Sequence, residues 1–320
     1  MSNSFFTLVE DKIQQVEQLM RAQVGEHHPD LHTVLEHLVS SGGKRVRPAV
    51  TLLTGKMFGA DPDRLITLAA SIEMLHTATL VHDDLIDGSL LRRGIPTVNA
   101  HWSPAATVLA GDYIFARAAE LAARTDSVAV MQSFAETLAT IVNGEITQMF
   151  TSRGVANRED YYQRIYAKTA SMFVLATKSA ALISQSDEKI IETIRQFGYE
   201  IGMAFQIVDD ILDFTGEQEE VGKPVASDLR SGLVTLPAIY YQENNPDDQD
   251  MEAVLRGEYN NDGRMKRLVK AIRSSGAIQQ ALDEARQYVE RGLGFLEQMP
   301  DGIERQALFE LGSYIIDRQV

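Results

Sequence analysis

Six aspartates in two short stretches, VHDDLID (81–87) and IVDDILD (207–213), are the residues best spaced to do chemistry. On an ideal helix Asp83 and Asp87 lie one turn apart, about 40° different in direction, and Asp209 and Asp213 repeat the spacing. His76, Thr79 and Leu80 share the first stripe; Gly202, Phe205 and Gln206 share the second. Asp84 and Asp210 each point about 100° away from their stripe. Two carboxylates one turn apart hold a hard divalent cation through oxygen. Mg²⁺ suits this pattern because it takes one or two carboxylates and completes its shell with water and phosphate. The loop of a tight calcium site is missing, and zinc would require Cys or a paired HExxH motif. One DDxxD alone is usually a solvated helix end; two copies, each flanked by Val, Ile, Leu or Phe, point to metal sites.

The basic residues are clustered as well. SGGKRVRP (41–48) gathers Lys44, Arg45 and Arg47 in a glycine-led turn, with Pro48 expected at the first position of the next helix. Glycines let the backbone approach an anion, and the helix start that follows favours negative charge. LLRRG (90–94) places Arg92 and Arg93 directly after the first acidic stretch, and an arginine pair can grip phosphate oxygens bidentately. Beside two metal-type clusters, these runs read as diphosphate clamps.

The elements that must position these groups are helical. Apolar residues recur at helical spacing over roughly 5–20, 30–40, 48–59, 62–87, 103–124, 127–151, 158–185, 187–215, 231–243, 262–274, 276–298 and 302–317. Gly and Pro fall mainly between these segments, and no convincing β-hairpin signal, low-complexity tract or solenoid repeat is present. The stretches 62–87 and 187–215 are apolar over much of their circumference, which belongs in the middle of a bundle. Both acidic motifs lie at C-terminal ends of such helices, where partial negative charge makes an acid unfavourable unless something strongly positive offsets it. The fold expected is all-α, with the 320 residues as a single domain.

Composition narrows the function. Lys plus Arg total 30 against 45 Asp plus Glu, a formal charge of −15. That excludes a general nucleic-acid surface, which needs a basic field. With no Cys, disulfides and thiolate chemistry are excluded, which fits a reducing cytoplasm. The most apolar run, 65–81, is broken by Glu73 and His76 and falls short of the ~18–20 residues of a membrane span, so no transmembrane segment is expected.

GGKRVRP, HTATLVHDDLID, LRRG, GD (111–112), NGE..Q (143–148), YAKTA (166–170), GMAFQIVDDILDF and GKPVASDLRSGLVTLP resemble, in that order, the trans-isoprenyl diphosphate synthase (polyprenyl synthetase) family. The resemblance covers about residues 40 to 240. It implies an all-α bundle around a deep cavity, commonly a homodimer, that joins isopentenyl diphosphate to an allylic prenyl diphosphate. It also implies up to three Mg²⁺ ions shared with the diphosphate. Carried over residue by residue, Asp83 and Asp87, with Asp84 beside them, look like metal ligands at the allylic diphosphate. Asp209 and Asp213, with Asp210 beside them, look like the site of the remaining metal. Lys44, Arg47, His76 and Arg93 look like the isopentenyl diphosphate pocket. Arg92, Lys168 and Lys223 would contact the allylic diphosphate, and Thr169 and Gln206 would offer oxygen dipoles to the developing cation. One position departs from the family: Leu233 stands where many members carry lysine. That lysine's phosphate contact is unassigned, with Arg230 and Lys223 as candidates to replace it.

In the family, bulk just before the first acidic motif sets the cavity floor. Ala78 and Thr79 are small, which resembles medium- and long-chain members and implies about six to nine isoprene units. Helical geometry turns Thr79 toward the Asp83 stripe but places Ala78 off it, and Leu75, Phe134, Leu138 or Ile141 could form a lower floor. A short-chain synthase is the alternative product class. A terpene cyclase would carry an Asn/Ser/Glu metal motif in place of DDILD and has no use for an isopentenyl pocket. A non-catalytic subunit of a heteromeric synthase would tend to lose the aspartates, and both motifs are intact.

Overall fold

Asp61 shows how this sequence starts its helices. Its side chain accepts from the N–H groups of Asp63 and Arg64, at 3.1 and 2.9 Å, with Pro62 in the first turn. Ser103 before Pro104, Asn157, Asp248 and Asn261 cap four further helices in the same way. The computed structural model describes residues 4–23, 32, 33, 36, 38, 45–92, 94–151, 156–216 and 225–318.

In chain order the helices are α1 (Ser4–Thr7), α2 (Glu10–Ala22), α3 (Val46–Met57) and α4 (Pro62–Ile86). Next come α5 (Val98–His101), α6 (Pro104–Ala123), α7 (Val128–Thr151) and α8 (Arg158–Ile165), then a π-helical turn, Tyr166–Ala170. The remainder are α9 (Ser171–Ile183), α10 (Glu188–Thr215), α11 (Ser227–Arg230), α12 (Leu236–Asn244), α13 (Gln249–Leu255), α14 (Asp262–Ser274), α15 (Ala277–Leu296) and α16 (Ile303–Asp317). The fold is all-α, as expected.

Several local expectations are corrected. A two-stranded antiparallel ribbon, β1 (Leu91–Arg92) and β2 (Ile95–Pro96), pairs Leu91 with Pro96 and Arg92 with Ile95. Strands of two residues leave no alternation to read; the turn's own signal is Gly94, at φ 75. Helix α3 begins at Val46 rather than Pro48, because Arg45 takes a left-handed conformation (φ 46) at its N-cap. The continuous helix expected over 158–185 is interrupted by the π turn, and the helix expected from 231 starts at Leu236. Most of the expected 30–40 helix lies outside the described residues.

The chain divides into two compact units. The first comprises Met1–Glu136, Met172–Gly198 and Phe295–Leu311, with a core that includes Met20, Leu53, Ile72, Leu75, Ile114 and Phe173. Within it α4 is the central element: among the described residues it is long and apolar enough to cross a membrane, yet 72% of its most apolar stretch is buried inside the protein. The second unit comprises Thr137–Ser171, Tyr199–Gly294 and Gly312–Val320, and buries Tyr161, Phe214, Ile239, Met265 and Ile272. From Glu200 to Ile211 all but Gln206 and Asp209 are buried, so this part of α10 is enclosed nearly all round and carries Glu200 and Asp210 into the interior.

Candidate active site

The first acidic motif closes α4. Asp83 and Asp84 are 8% and 7% exposed, and Asp87 stands exposed at the C-cap, its N–H donating to the Asp83 carbonyl at 2.8 Å. The ribbon brings Arg92 back onto Asp84. Arg92 Nε donates to Oδ1 and Oδ2 at 3.0 and 2.9 Å, and Nη2 stands 2.8 Å from Oδ1. Arg92, expected at a diphosphate, thus also neutralises the buried acid that points away from the Asp83–Asp87 stripe. Upstream, Thr79 is half-buried and donates to the His76 carbonyl at 2.7 Å, while Ala78 and Leu75 are 2% and 0% exposed.

Arg45, the N-cap of α3, is held by acids. Arg45 Nε donates to Glu17 at 2.8 Å and Nη1 to buried Glu73 at 2.9 Å, one carboxylate from α2 and one from α4. An arginine gripped on two sides keeps its backbone in the left-handed region despite the cost. Two residues on, the Arg47 guanidinium lies 5.4 Å from the Phe173 ring centroid. Half-buried His76 is on α4, in the same unit.

In the second unit each aspartate of the second motif has its own partner. Asp209 Oδ1 is 3.0 Å from Arg318 Nη1, whose guanidinium also lies 4.2 Å from the Phe205 ring centroid. Asp210, 3% exposed, accepts from Tyr161 Oη at 2.7 Å and Gln206 Nε2 at 2.8 Å. Burial, and then the negative field of Asp228, push the Asp210 carboxyl up to about 8. Asp213 accepts from Ser227 N and Oγ at 3.0 and 2.8 Å and from Asp228 N at 3.2 Å, pinning the turn that starts α11. Gln206 in turn accepts from Thr169 Oγ1 at 2.6 Å, so Thr169, Gln206 and Asp210 form one chain of hydrogen bonds. Lys168, next along the π turn, donates to Glu145 Oε1 at 2.8 Å.

Three expected site residues, Lys44, Arg93 and Lys223, lie outside the described residues. Arg230, a candidate to replace the lysine missing at Leu233, is tied to Asp262 at 3.0 Å and to the Val225 carbonyl at 3.0 Å. Tyr161, Glu145 and Arg318 carry no role that spacing or residue type indicates. Glu145 and the Ser227–Asp228 turn lay within quoted motifs; no signal singled out Tyr161 or Arg318.

Among the described residues no three His, Cys, Asp or Glu side chains converge as a metal-holding group. A pair of carboxylates one turn apart would suit a hard cation that takes the rest of its shell from water and phosphate. It does not fit a structural zinc site.

An all-α chain with an aspartate motif near the C-terminal ends of two long, largely buried helices defines the isoprenoid-synthase class. The polyprenyl synthetase family model matches residues 28–272, and the chain belongs to that family. It is an enzyme, a transferase of prenyl groups, and it resembles medium- and long-chain members. It is 38% identical to the all-trans-nonaprenyl-diphosphate synthase (geranyl-diphosphate specific) of Rhodobacter capsulatus, over 89% of this chain and 88% of that one. It is 33% identical to heptaprenyl diphosphate synthase component 2 of Bacillus subtilis (strain 168), over 98% of this chain and 90% of that one. Among solved structures, polyprenyl synthase from Caulobacter crescentus CB15, complexed with calcium and isoprenyl diphosphate, superposes with a TM-score of 0.92. The two are 33% identical, with 99% of this chain and 97% of that one covered.

Proposed function

We propose that the enzyme condenses isopentenyl diphosphate with an allylic prenyl diphosphate, head to tail and in the trans configuration, to give a product of about six to nine isoprene units. It acts as one catalytic domain, as a cytoplasmic homodimer. The observation that carries the reaction class is the pair of aspartate motifs on α4 and α10, each with carboxylates one turn apart. The homodimer is supported by an exposed apolar stripe on α7: Val142, Ile146, Met149 and Phe150, 46 to 77% exposed.

Asp83, Asp87, Asp209 and Asp213 are proposed to hold Mg²⁺, which when bound supplies positive charge to the diphosphate. The calcium and isoprenyl diphosphate of the Caulobacter protein support a divalent-cation requirement. The allylic carbon–oxygen bond breaks, and its electron pair leaves with the diphosphate. Arg92 and Lys168 steady the charge that develops there. The isopentenyl double bond supplies the electrons of the new carbon–carbon bond, and a proton is lost to the departing diphosphate. Arg47 and His76 orient isopentenyl diphosphate, while the Thr169 and Gln206 dipoles face the allylic cation. The apolar surroundings keep water from quenching it.

Small side chains before the first motif support the longer product, Ala78 at 2% exposure and Thr79 half-buried. Thin-layer chromatography of products from farnesyl and isopentenyl diphosphates tests it. Chains longer than twenty carbons are expected, and products stopping at fifteen or twenty carbons sink the assignment. The Bacillus subtilis relative is component 2 of a heptaprenyl diphosphate synthase, which favours a second reading, a subunit of a heteromeric synthase. Mg²⁺-dependent diphosphate release by the purified chain alone separates the two.

A further inference from the structure

Glu145 is an acid beside a lysine that the proposed function assigns to a diphosphate, and a carboxylate near that anion needs a reason to be there. Lys168 Nζ donates to Glu145 Oε1 at 2.8 Å, with the side chains 38% and 18% exposed. Both ends of this pair are fixed at the backbone. Gly144, just before Glu145, packs so closely on Ala167, just before Lys168, that a Cβ there would lie 2.5 Å from the Ala167 Cβ. The π turn Tyr166–Ala170 adds a residue to the helical repeat at that contact. Lys168 is thereby aimed at α7 while its neighbour Thr169 is aimed at Gln206 on α10. A lysine is a point charge on a flexible four-carbon stem, so its direction has to be imposed. The aligned pair imposes it before substrate arrives, which is the form of preorganisation that raises turnover.

We propose that Glu145 is a positioning residue, holding the Lys168 ammonium in the direction from which it meets the allylic diphosphate. This rests on the function proposed above. The opposing possibility is that Glu145 withholds Lys168 from substrate, and the two give opposite signs. The test is steady-state kinetics of full-length wild type, Glu145→Gln, Lys168→Ala and the double variant, with the allylic diphosphate varied and thermal melts recorded alongside. Glu145→Gln should lower kcat about tenfold and leave KM for the allylic diphosphate within about twofold. In the Lys168→Ala background it should cost nothing further. Glu145→Asp, which keeps the charge, should recover part of kcat. The inference is overturned by a lower KM with unchanged kcat, by an equal loss in the Lys168→Ala background, or by a lower melting temperature with unchanged kcat. An inactive wild type overturns the proposed function itself, and is thus distinguishable from those outcomes.

Discussion

At the end of α4, Asp84 gives both carboxylate oxygens to Arg92 and Asp87 stands exposed at the helix cap. Along α10 the same DDxxD spelling meets three separate environments: Arg318 at Asp209, Tyr161 with Gln206 at Asp210, and the Ser227–Asp228 turn at Asp213. The upstream residues differ too. Thr79 lies four before Asp83, whereas Phe205, carrying Arg318 on its face, lies four before Asp209. A repeated motif therefore does not mean a repeated site. The first motif ends its helix with an exposed acid beside an arginine-neutralised one, and the second is ordered by hydrogen bonds and holds one acid in a neutralising interior.

The largest effect is expected at the first motif. Asp83→Ala or Asp87→Ala should lower turnover by about a thousandfold or more, because a proposed ligand of the Mg²⁺ at the leaving group is removed. The helical circular dichroism spectrum should be unchanged; a variant that kept wild-type kcat would remove that residue from the metal set. Next in size is product length. Thr79→Phe gives the first motif the upstream aromatic of the second, and Ala78→Phe adds bulk one position earlier. Either should shorten the main product if its side chain lines the tunnel. Chromatography of the dephosphorylated products reads this directly, and an unchanged length would place the floor elsewhere.

The asymmetry was only partly legible in the sequence. Helical periodicity located the long helices and the motifs at their ends, because burial repeats along a helix and leaves its trace in residue order. It could not distinguish Asp84 from Asp210. Both take the off-stripe position, and their partners, Arg92 across a ribbon and Tyr161 from another helix, come from tertiary contact. The ribbon itself was missed because two-residue strands carry no period. The π turn was missed because one extra residue leaves the apolar pattern of 158–185 intact. Arg45 was visible as a charge in a basic turn, but its grip on Glu17 and Glu73 depends on two helices meeting.

Asp210 supplies a smaller effect, read as a pH slope. Its carboxyl is raised to about 8 in the folded chain, against about 3.9 when unfolded. Between those values the folded state binds a proton that the unfolded state releases. Its contribution to stability is thus complete below about pH 4 and is lost as pH rises through about 8. Wild-type melting temperature, measured with a chelator present, should fall over that window, and Asp210→Asn should flatten the fall. A wild-type slope equal to that of the variant would show that Asp210 does not hold the proton.

The smallest effect is expected at Arg318, where the two motifs differ most directly. Arg92 sits on Asp84, which is not among the proposed Mg²⁺ ligands, whereas Arg318 sits on Asp209, which is. A guanidinium 3.0 Å from Asp209 Oδ1 would compete with the proposed Mg²⁺ for the same oxygen, with the partly buried setting keeping solvent from screening the contact. Arg318→Gln keeps a polar group there and removes the charge. The half-saturating Mg²⁺ concentration should drop by about threefold, with kcat at saturating metal changed less than about twofold. The opposite shift, a higher Mg²⁺ requirement, would mean that Arg318 orients Asp209 for the metal rather than competing with it. The second motif would then owe its geometry to Arg318 much as the Lys168 ammonium is proposed to owe its direction to Glu145.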